Sequence, residues 1–216
     1  MAAGWEHTII LTTTGLVYAC GCGYKDTRRG IVPPVLGLGH NDGKALPELL
    51  SSLLDVIPSG SVDDGDAVNN LELPVVGGVC GGTPNATDFG PDVLTGGGDA
   101  SNSSDTNIRI VNISCGWDHC LALDDKGRTF SWGSGQNGKL GHGNEENMSI
   151  PCIIPVLESV IVDIVSAGCE HSCAVCRDSG IVYTWGHGDG GRLGHGDNTP
   201  KLLPTKVKAL INMNVK

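Results

Sequence analysis

The chain has 216 residues, with 33 Gly and 11 Pro but only nine Trp, Tyr and Phe together, and 14 Lys and Arg stand against 24 Asp and Glu. Glycine at about twice its usual ~7% favours tight turns over long helices. With no run of ~18 apolar residues, and an N-terminus (MAAGWEHTII) lacking a basic start and an apolar core, the sequence argues against a transmembrane helix, a coiled coil and a secreted precursor.

Residues 1–57 read as a first structural unit, AAGWEHTIILTTTGLVYACGCG from Ala2: small-Gly-x-acid-His, a short apolar run, a turn ending in Gly, an aromatic strand and Gly-x-Gly. A short basic insertion, Lys25–Val35, follows, with Lys25, Arg28 and Arg29 as a small positive projection. From Ala45 to Ile108 there are ten acids and no Lys or Arg, whereas the rest of the chain is neutral, so the net charge of −10 belongs to one segment. Within it, residues 58–107 read as a flexible acidic insertion, because small Gly/Ser-rich sequence buries too little apolar surface to offset its ordering entropy. An acidic balance does not suit DNA, which needs a basic face to displace counterions.

A second unit spans 108–157 and a third 158–206, opening on SCGWDHCLALDDKGRTFSWGSG and SAGCEHSCAVCRDSGIVYTWGHG. His119 and His171 are separated by 52 residues, Trp132 and Trp185 by 53. Removing both insertions from the first interval leaves a similar period. Such internal repetition is the strongest signal in the chain. Each unit predicts three or four short strands with turns between them, at Asp125-Lys126-Gly127 and Asp178-Ser179-Gly180. Each is aligned to reach Leu-Gly-His, as Leu38-Gly39-His40, Leu140-Gly141-His142 and Leu193-Gly194-His195. Residues 207–216 read as the start of a truncated fourth unit. About 50 residues and up to four strands is the size of one propeller blade.

These units resemble the repeat of the regulator of chromosome condensation family: Gly-x-x-His-(Thr/Ser), a strand, Gly-x-(Val/Leu)-(Tyr/Phe)-x-(Trp/Cys)-Gly, then Gly-x-Leu-Gly-His-Gly. Residues 115–143 and 167–196 fit throughout. Residues 3–23 fit, with Leu-Gly-His displaced and Asn41 where Gly is usual. The resemblance implies an all-β fold, a partial β-propeller of about three blades carrying a long acidic Gly/Ser-rich insertion. Since the family builds seven blades, three imply a piece of a larger protein.

Several motifs suggest chemistry. Gly133-Ser-Gly135-Gln-Asn-Gly138 and Gly186-His-Gly188-Asp-Gly-Gly191 satisfy Gly-x-Gly-x-x-Gly, but a dinucleotide site needs a helix to follow. Lys-Leu-Gly-His-Gly and Arg-Leu-Gly-His-Gly are poor helix starts, so both motifs read as repeat turns. An odd count of nine cysteines without a secretory signal points to reduced thiols. Cys169-Glu-His171-Ser-Cys173-Ala-Val-Cys176 suggests a metal cluster, yet in an extended strand Cys169 and Cys173 stand about 13 Å apart. No metal and no cofactor is expected there. Gly4, His7, Gly116, His119, Gly168 and His171 recur at one repeat position, and Leu140, Gly141, His142, Leu193, Gly194 and His195 at another. Recurrence in every unit marks structural residues, whereas a general base is needed once, beside a nucleophile. No catalytic residue is expected, and the chain reads as a non-enzyme.

Trp5 and Trp117 stand in Gly-Trp-acid-His. This resembles the Gly-Trp-Arg-His of the plant UV-B receptor, a member of the same family, with Glu6 or Asp118 where that protein has Arg and Cys169 where the third unit would carry Trp. Trp5, Trp117, Lys25, Arg28 and Arg29 are the candidate partner-binding residues. The expected function is a protein–protein interaction module, part of a larger regulatory or HECT-type ubiquitin-ligase protein. The resemblance also implies two alternatives: nucleotide exchange on a Ran-type small GTPase and, more remotely, UV-B reception. Protein partners in the cytoplasm or nucleus are expected, without nucleic acid or membrane.

Overall fold

Among the described residues, twelve short strands pair into three four-stranded antiparallel sheets, each made of strands consecutive in sequence. The computed structural model describes residues 1–22, 35–54, 108–211, 213 and 215. Both expected insertions, 58–107 and most of Lys25–Val35, lie outside the described residues, and so do Lys25, Arg28 and Arg29.

The first sheet holds β1 (Ala2–Ala3), β2 (His7–Leu11), β3 (Val17–Gly21) and β4 (Lys44–Leu49). The second holds β5 (Ile110–Cys115), β6 (His119–Asp124), β7 (Thr129–Gly133) and β8 (Met148–Ile153). The third holds β9 (Val162–Ala167), β10 (His171–Cys176), β11 (Val182–Gly186) and β12 (Lys201–Lys206). Each sheet closes on a three-residue 3-10 turn: Ser51–Leu53, Pro155–Leu157 and Lys208–Leu210. Lys208–Leu210 thus occupies the same place after its sheet as Pro155–Leu157 does after the second.

Alternation along the strands decides the packing, because successive side chains point to opposite faces. In β6, Cys120 and Ala122 face the first sheet, where they meet Ile9, Val17, Ala19, Leu36 and Leu50 beside Phe130 and Trp132 of β7. Leu121 and Leu123 face the third sheet and pack with Val162, Val165, Ala174, Tyr183 and Trp185. The middle sheet is covered on both faces, so every residue of β6 and β7 is buried. Trp132 and Trp185 are fully buried, and each is worth about 3–5 kcal/mol against Ala. Three all-β sheets stacked face to face are successive propeller blades, as the repeat implied.

The structure corrects the alignment of the first unit. A Cβ on Gly37 would lie 2.8 Å from Trp132 Nε1, as one on Gly141 would lie 2.9 Å from Trp185 Nε1. The next glycines also match: Gly39 N–H donates to Ser149 O, and Gly143 N–H to Leu202 O. Leu36-Gly37-Leu38-Gly39 is therefore the counterpart of Leu140-Gly141-His142-Gly143, and His40 is not the counterpart of His142. The partner residue agrees. His142 Nε2 bonds Ser131 Oγ at 2.9 Å, and His195 Nε2 bonds Thr184 Oγ1 at 2.9 Å. The first blade has Ala19 at the hydroxyl position and Leu38 at the histidine position, so donor and acceptor are missing together. His40 instead accepts from Asp42 N–H at the surface.

The glycine trios end in single 3-10 turns, Gln136–Gly138 and Asp189–Gly191, with left-handed residues inside them (Asn137, φ 59°; Gly190, φ 69°). No α-helix follows either trio, so the array of N–H groups that would hold a pyrophosphate is not built there.

Candidate functional site: a tryptophan-bearing face over inter-blade latches

The tight turns joining β1 to β2, β5 to β6 and β9 to β10 carry the recurring Gly-x-x-His. The first two turns are each tied to the next blade through the backbone: Trp5 N–H donates to Trp117 O (3.3 Å), and Trp117 N–H to Cys169 O (3.2 Å). This ladder sets successive turns side by side. Trp5 and Trp117 consequently stack, with ring centroids 4.7 Å apart and planes 17° from parallel. They remain open to solvent, 63% and 44% exposed. Cys169, the third residue of the row, is exposed too.

Acids follow the tryptophans. Glu6 is exposed and makes no ion pair among the described residues. Asp118 and Glu170 both bind Lys139 Nζ, at 2.5 and 2.8 Å, and Lys139 itself is fully buried. One buried ammonium between two half-exposed carboxylates leaves this part of the face with one net negative charge. In the corrected register Lys139 corresponds to Val35, so among the described residues no such cation stands beside Glu6. Two stacked indoles beside surplus carboxylates form a surface suited to cationic side chains, through cation–π contact and charge.

Beneath the face, the repeat histidines latch each blade to the next. His119 Nε2 lies 2.9 Å from Ser172 Oγ of the third blade, and that hydroxyl donates to Lys139 O at 2.8 Å. Lys139 O also accepts from Trp185 Nε1 at 2.9 Å. Because the Ser172 proton goes to the carbonyl, its oxygen accepts from His119, which fixes the Nε2–H tautomer. Nδ1 is then a bare lone pair, and it has no partner. A protonated ring would bury a cation with nothing to receive its second proton. Burial first, then the charges of Lys139, His7 and His171, hold the His119 pKa at about 3. Burial likewise lowers His142 and His171. Gly116 underlies His119 because nothing larger fits: a Cβ there would lie 2.3 Å from the ring and 2.4 Å from Gly168 O. Gly4 and Gly168 underlie His7 and His171 in the same way. Leu140 and Leu193 are buried beside Gly141 and Gly194. Of these repeat residues, His7 and His119 meet a side chain of the next blade, and Leu140 and Leu193 lie in the core.

Between the first and second blades the latch is made of sulfur. His7 Nε2 lies 3.1 Å from Cys120 Sγ, which occupies the Ser172 position and stands 3.7 Å from Val35 O. Cys115 Sγ is 3.5 Å from Cys120 Sγ. Hydrogen bonding to Cys120 holds the Cys115 thiol well below the usual range, while burial pushes Cys120 up. Sequence reasoning missed this group, since His7 and Cys120 are 113 residues apart. It looked instead at Cys169–Cys176, where Cys169 is exposed in a turn and Cys173 and Cys176 sit on β10. Among the described residues, the three donor atoms gathered within 4.8 Å of one another belong to His7, Cys115 and Cys120.

Comparison with known proteins agrees with this construction. The chain is 46% identical over 100 residues to the ultraviolet-B receptor UVR8 of Arabidopsis thaliana, covering 46% of the chain and 22% of that protein. It is 43% identical over 108 residues to the human E3 ubiquitin-protein ligase HERC2, covering 50% of the chain and 2% of that protein. It is 32% identical over 216 residues to the human probable E3 ubiquitin-protein ligase HERC4, covering 96% of the chain and 19% of that protein. The chain therefore spans under a quarter of the length of each of these relatives. Among solved structures, Prp20p of Saccharomyces cerevisiae superposes with a TM-score of 0.60 at 18% identity, covering 96% of the chain and 37% of the other. Human WBSCR16 gives 0.59 at 20% identity, covering 95% and 36%. Profiles of the regulator of chromosome condensation (RCC1) repeat match residues 126–175 and 179–216, and also 1–26 and 110–139. Together these matches span more than half of the sequence, and the chain belongs to the RCC1 repeat family.

Proposed function

We propose that the chain is a propeller interaction module of a larger regulatory or ubiquitin-ligase-type protein, and that its turn face docks a partner segment rich in Arg or Lys. The observation that carries this reading is the exposed Trp5–Trp117 stack beside Glu6 and the Asp118–Lys139–Glu170 group. The likeness to HERC2 and HERC4 supports the ligase setting. The face needs no reacting group to act, only rigidity, which the backbone ladder and the latches supply. No role as an enzyme is required of it, and its setting is cytoplasmic or nuclear.

The test uses a fluorescent Arg-rich peptide and an isosteric Glu-rich control. The Arg peptide should quench the exposed indoles and bind. Trp5→Ala with Trp117→Ala should weaken it about tenfold or more, and Glu6→Lys should weaken it further. Equal binding of both peptides, or no loss in the double variant, overturns the reading. The exchange-factor alternative rests on fold likeness alone, and accelerated nucleotide release from a Ran-type GTPase would favour it. UV-B reception has one specific observation behind it, the stacked pair itself. Glu6 and Asp118 stand where that receptor's motif has Arg, so the charged partners of its indoles are reversed. A change of oligomeric state on UV-B irradiation would favour that alternative.

A further inference from the structure

Two positions distinguish the interface of the first and second blades from the next one. Cys120 stands where the third blade has Ser172, directly after the latch histidine. Cys115 pairs with Cys120 across the sheet, where Ala167 pairs with Ser172. Both changes are to thiols, they are neighbours in space, and both sulfurs lie against His7. A serine and an alanine suffice for the latch between the second and third blades, so latching alone does not call for sulfur at either position.

We propose that His7 Nε2, Cys115 Sγ and Cys120 Sγ form a zinc site that clips the first blade to the second. Zinc sits ~2.3 Å from thiolate sulfur and ~2.0–2.1 Å from imidazole nitrogen in tetrahedral geometry. Those lengths set sulfur–sulfur and sulfur–nitrogen separations at about 3.8 and 3.6 Å. The structure has 3.5 Å between the sulfurs and 3.1 Å from His7 Nε2 to Cys120 Sγ. His7 Nε2 and Cys115 Sγ also lie within 4.8 Å of each other, so small shifts of the side chains admit the ion.

The histidine is also free to turn its lone pair inward. In the next latch a 2.8 Å hydroxyl–carbonyl bond fixes the Nε2–H tautomer, whereas Cys120 Sγ is 3.7 Å from its carbonyl and holds the proton loosely. With Nε2 on the metal, the ring proton is carried by Nδ1. Binding Zn²⁺ releases the two thiol protons to solvent. Cys115 is only partly buried and gives the ion its way in. The fourth position falls to water.

The test is titration of the full chain, anaerobic and fully reduced, with Co²⁺ as the optical probe and then Zn²⁺ in competition with a chromophoric chelator. One equivalent should bind, with the visible absorption of tetrahedral cobalt and a thiolate charge-transfer band. The decisive variant is Cys115→Ala with Cys120→Ser, which rebuilds the Ala167–Ser172 interface and so keeps a packing this protein already uses. It should lose affinity by roughly a hundredfold or more. Cys169→Ser with Cys173→Ser and Cys176→Ser should leave both the stoichiometry and the spectrum unchanged. Absence of a one-to-one complex in the reduced chain overturns the proposal, and so does tight binding that survives the Ala/Ser variant. Peptide binding to the tryptophan face is a separate measurement, so either reading can fail alone.

Discussion

Replacing Ser172 by Ala tests the latch most directly. Ser172 and His119 are both fully buried, and their bond is 2.9 Å. The substitution removes the acceptor of His119 Nε2–H and one of the two donors to Lys139 O. That carbonyl keeps its bond from Trp185 Nε1, so the damage falls on the imidazole. A buried donor left without a partner costs about 1–3 kcal/mol, and the lost hydroxyl–carbonyl bond about 1 more. The expected loss is about 2–4 kcal/mol, read as a lower urea midpoint at unchanged slope by near-UV circular dichroism. Ser172→Cys installs the atom that Cys120 supplies one interface earlier. It should cost about 1 kcal/mol, since sulfur still accepts but more weakly. A Ser172→Ala protein within about 0.5 kcal/mol of the parent would refute the reasoning. A Cys variant less stable than the Ala variant would refute it too.

The same histidine makes stability depend on pH. Its folded pKa, about 3, lies below the ordinary 6.5, so the unfolded chain binds its proton first. The contribution is complete above about pH 6.5 and is lost as the pH falls toward 3. It amounts to about 2 kcal/mol by pH ~5 and at most about 5 in all. The difference between urea profiles of the parent and His119→Gln should show this slope, and parallel profiles would contradict it. Gly116→Ala should prevent accumulation of folded protein, because its Cβ meets ring and backbone atoms together. Gly190→Ala, with nothing within 4 Å but φ at +69°, should cost only about 1 kcal/mol. Lys139→Met should lose about 2–3 kcal/mol by leaving Asp118 and Glu170 facing each other. Adding Asp118→Asn and Glu170→Gln should recover most of that loss, and denaturant titration of the three proteins reads both effects.

The repeat, the strand alternation and the turns were legible in the sequence because they are local. The unbroken apolar run Cys120–Leu123 in HCLALD puts apolar side chains on both faces of the strand, and Asp125-Lys126-Gly127 supplies the turn from β6 to β7, with Gly127 at φ +84°. The recurrence of His, Gly and Leu was legible for the same reason: each blade has to solve one packing problem again. The first unit's register was not legible. Leu-Gly occurs there twice in succession, and only the close fit of Gly37 against Trp132 of the next blade selects one copy.

Composition and spacing alone settled that this chain is a β-repeat protein, since turn chemistry and a period of two act over a few residues. Tertiary structure alone decided which side chains meet between blades: the stacked Trp5 and Trp117, the carboxylate–Lys139–carboxylate bridge, and His7 against two sulfurs. Those contacts join residues from 21 to 113 positions apart, and no local pattern encodes the rotation and offset at which one sheet packs on the next.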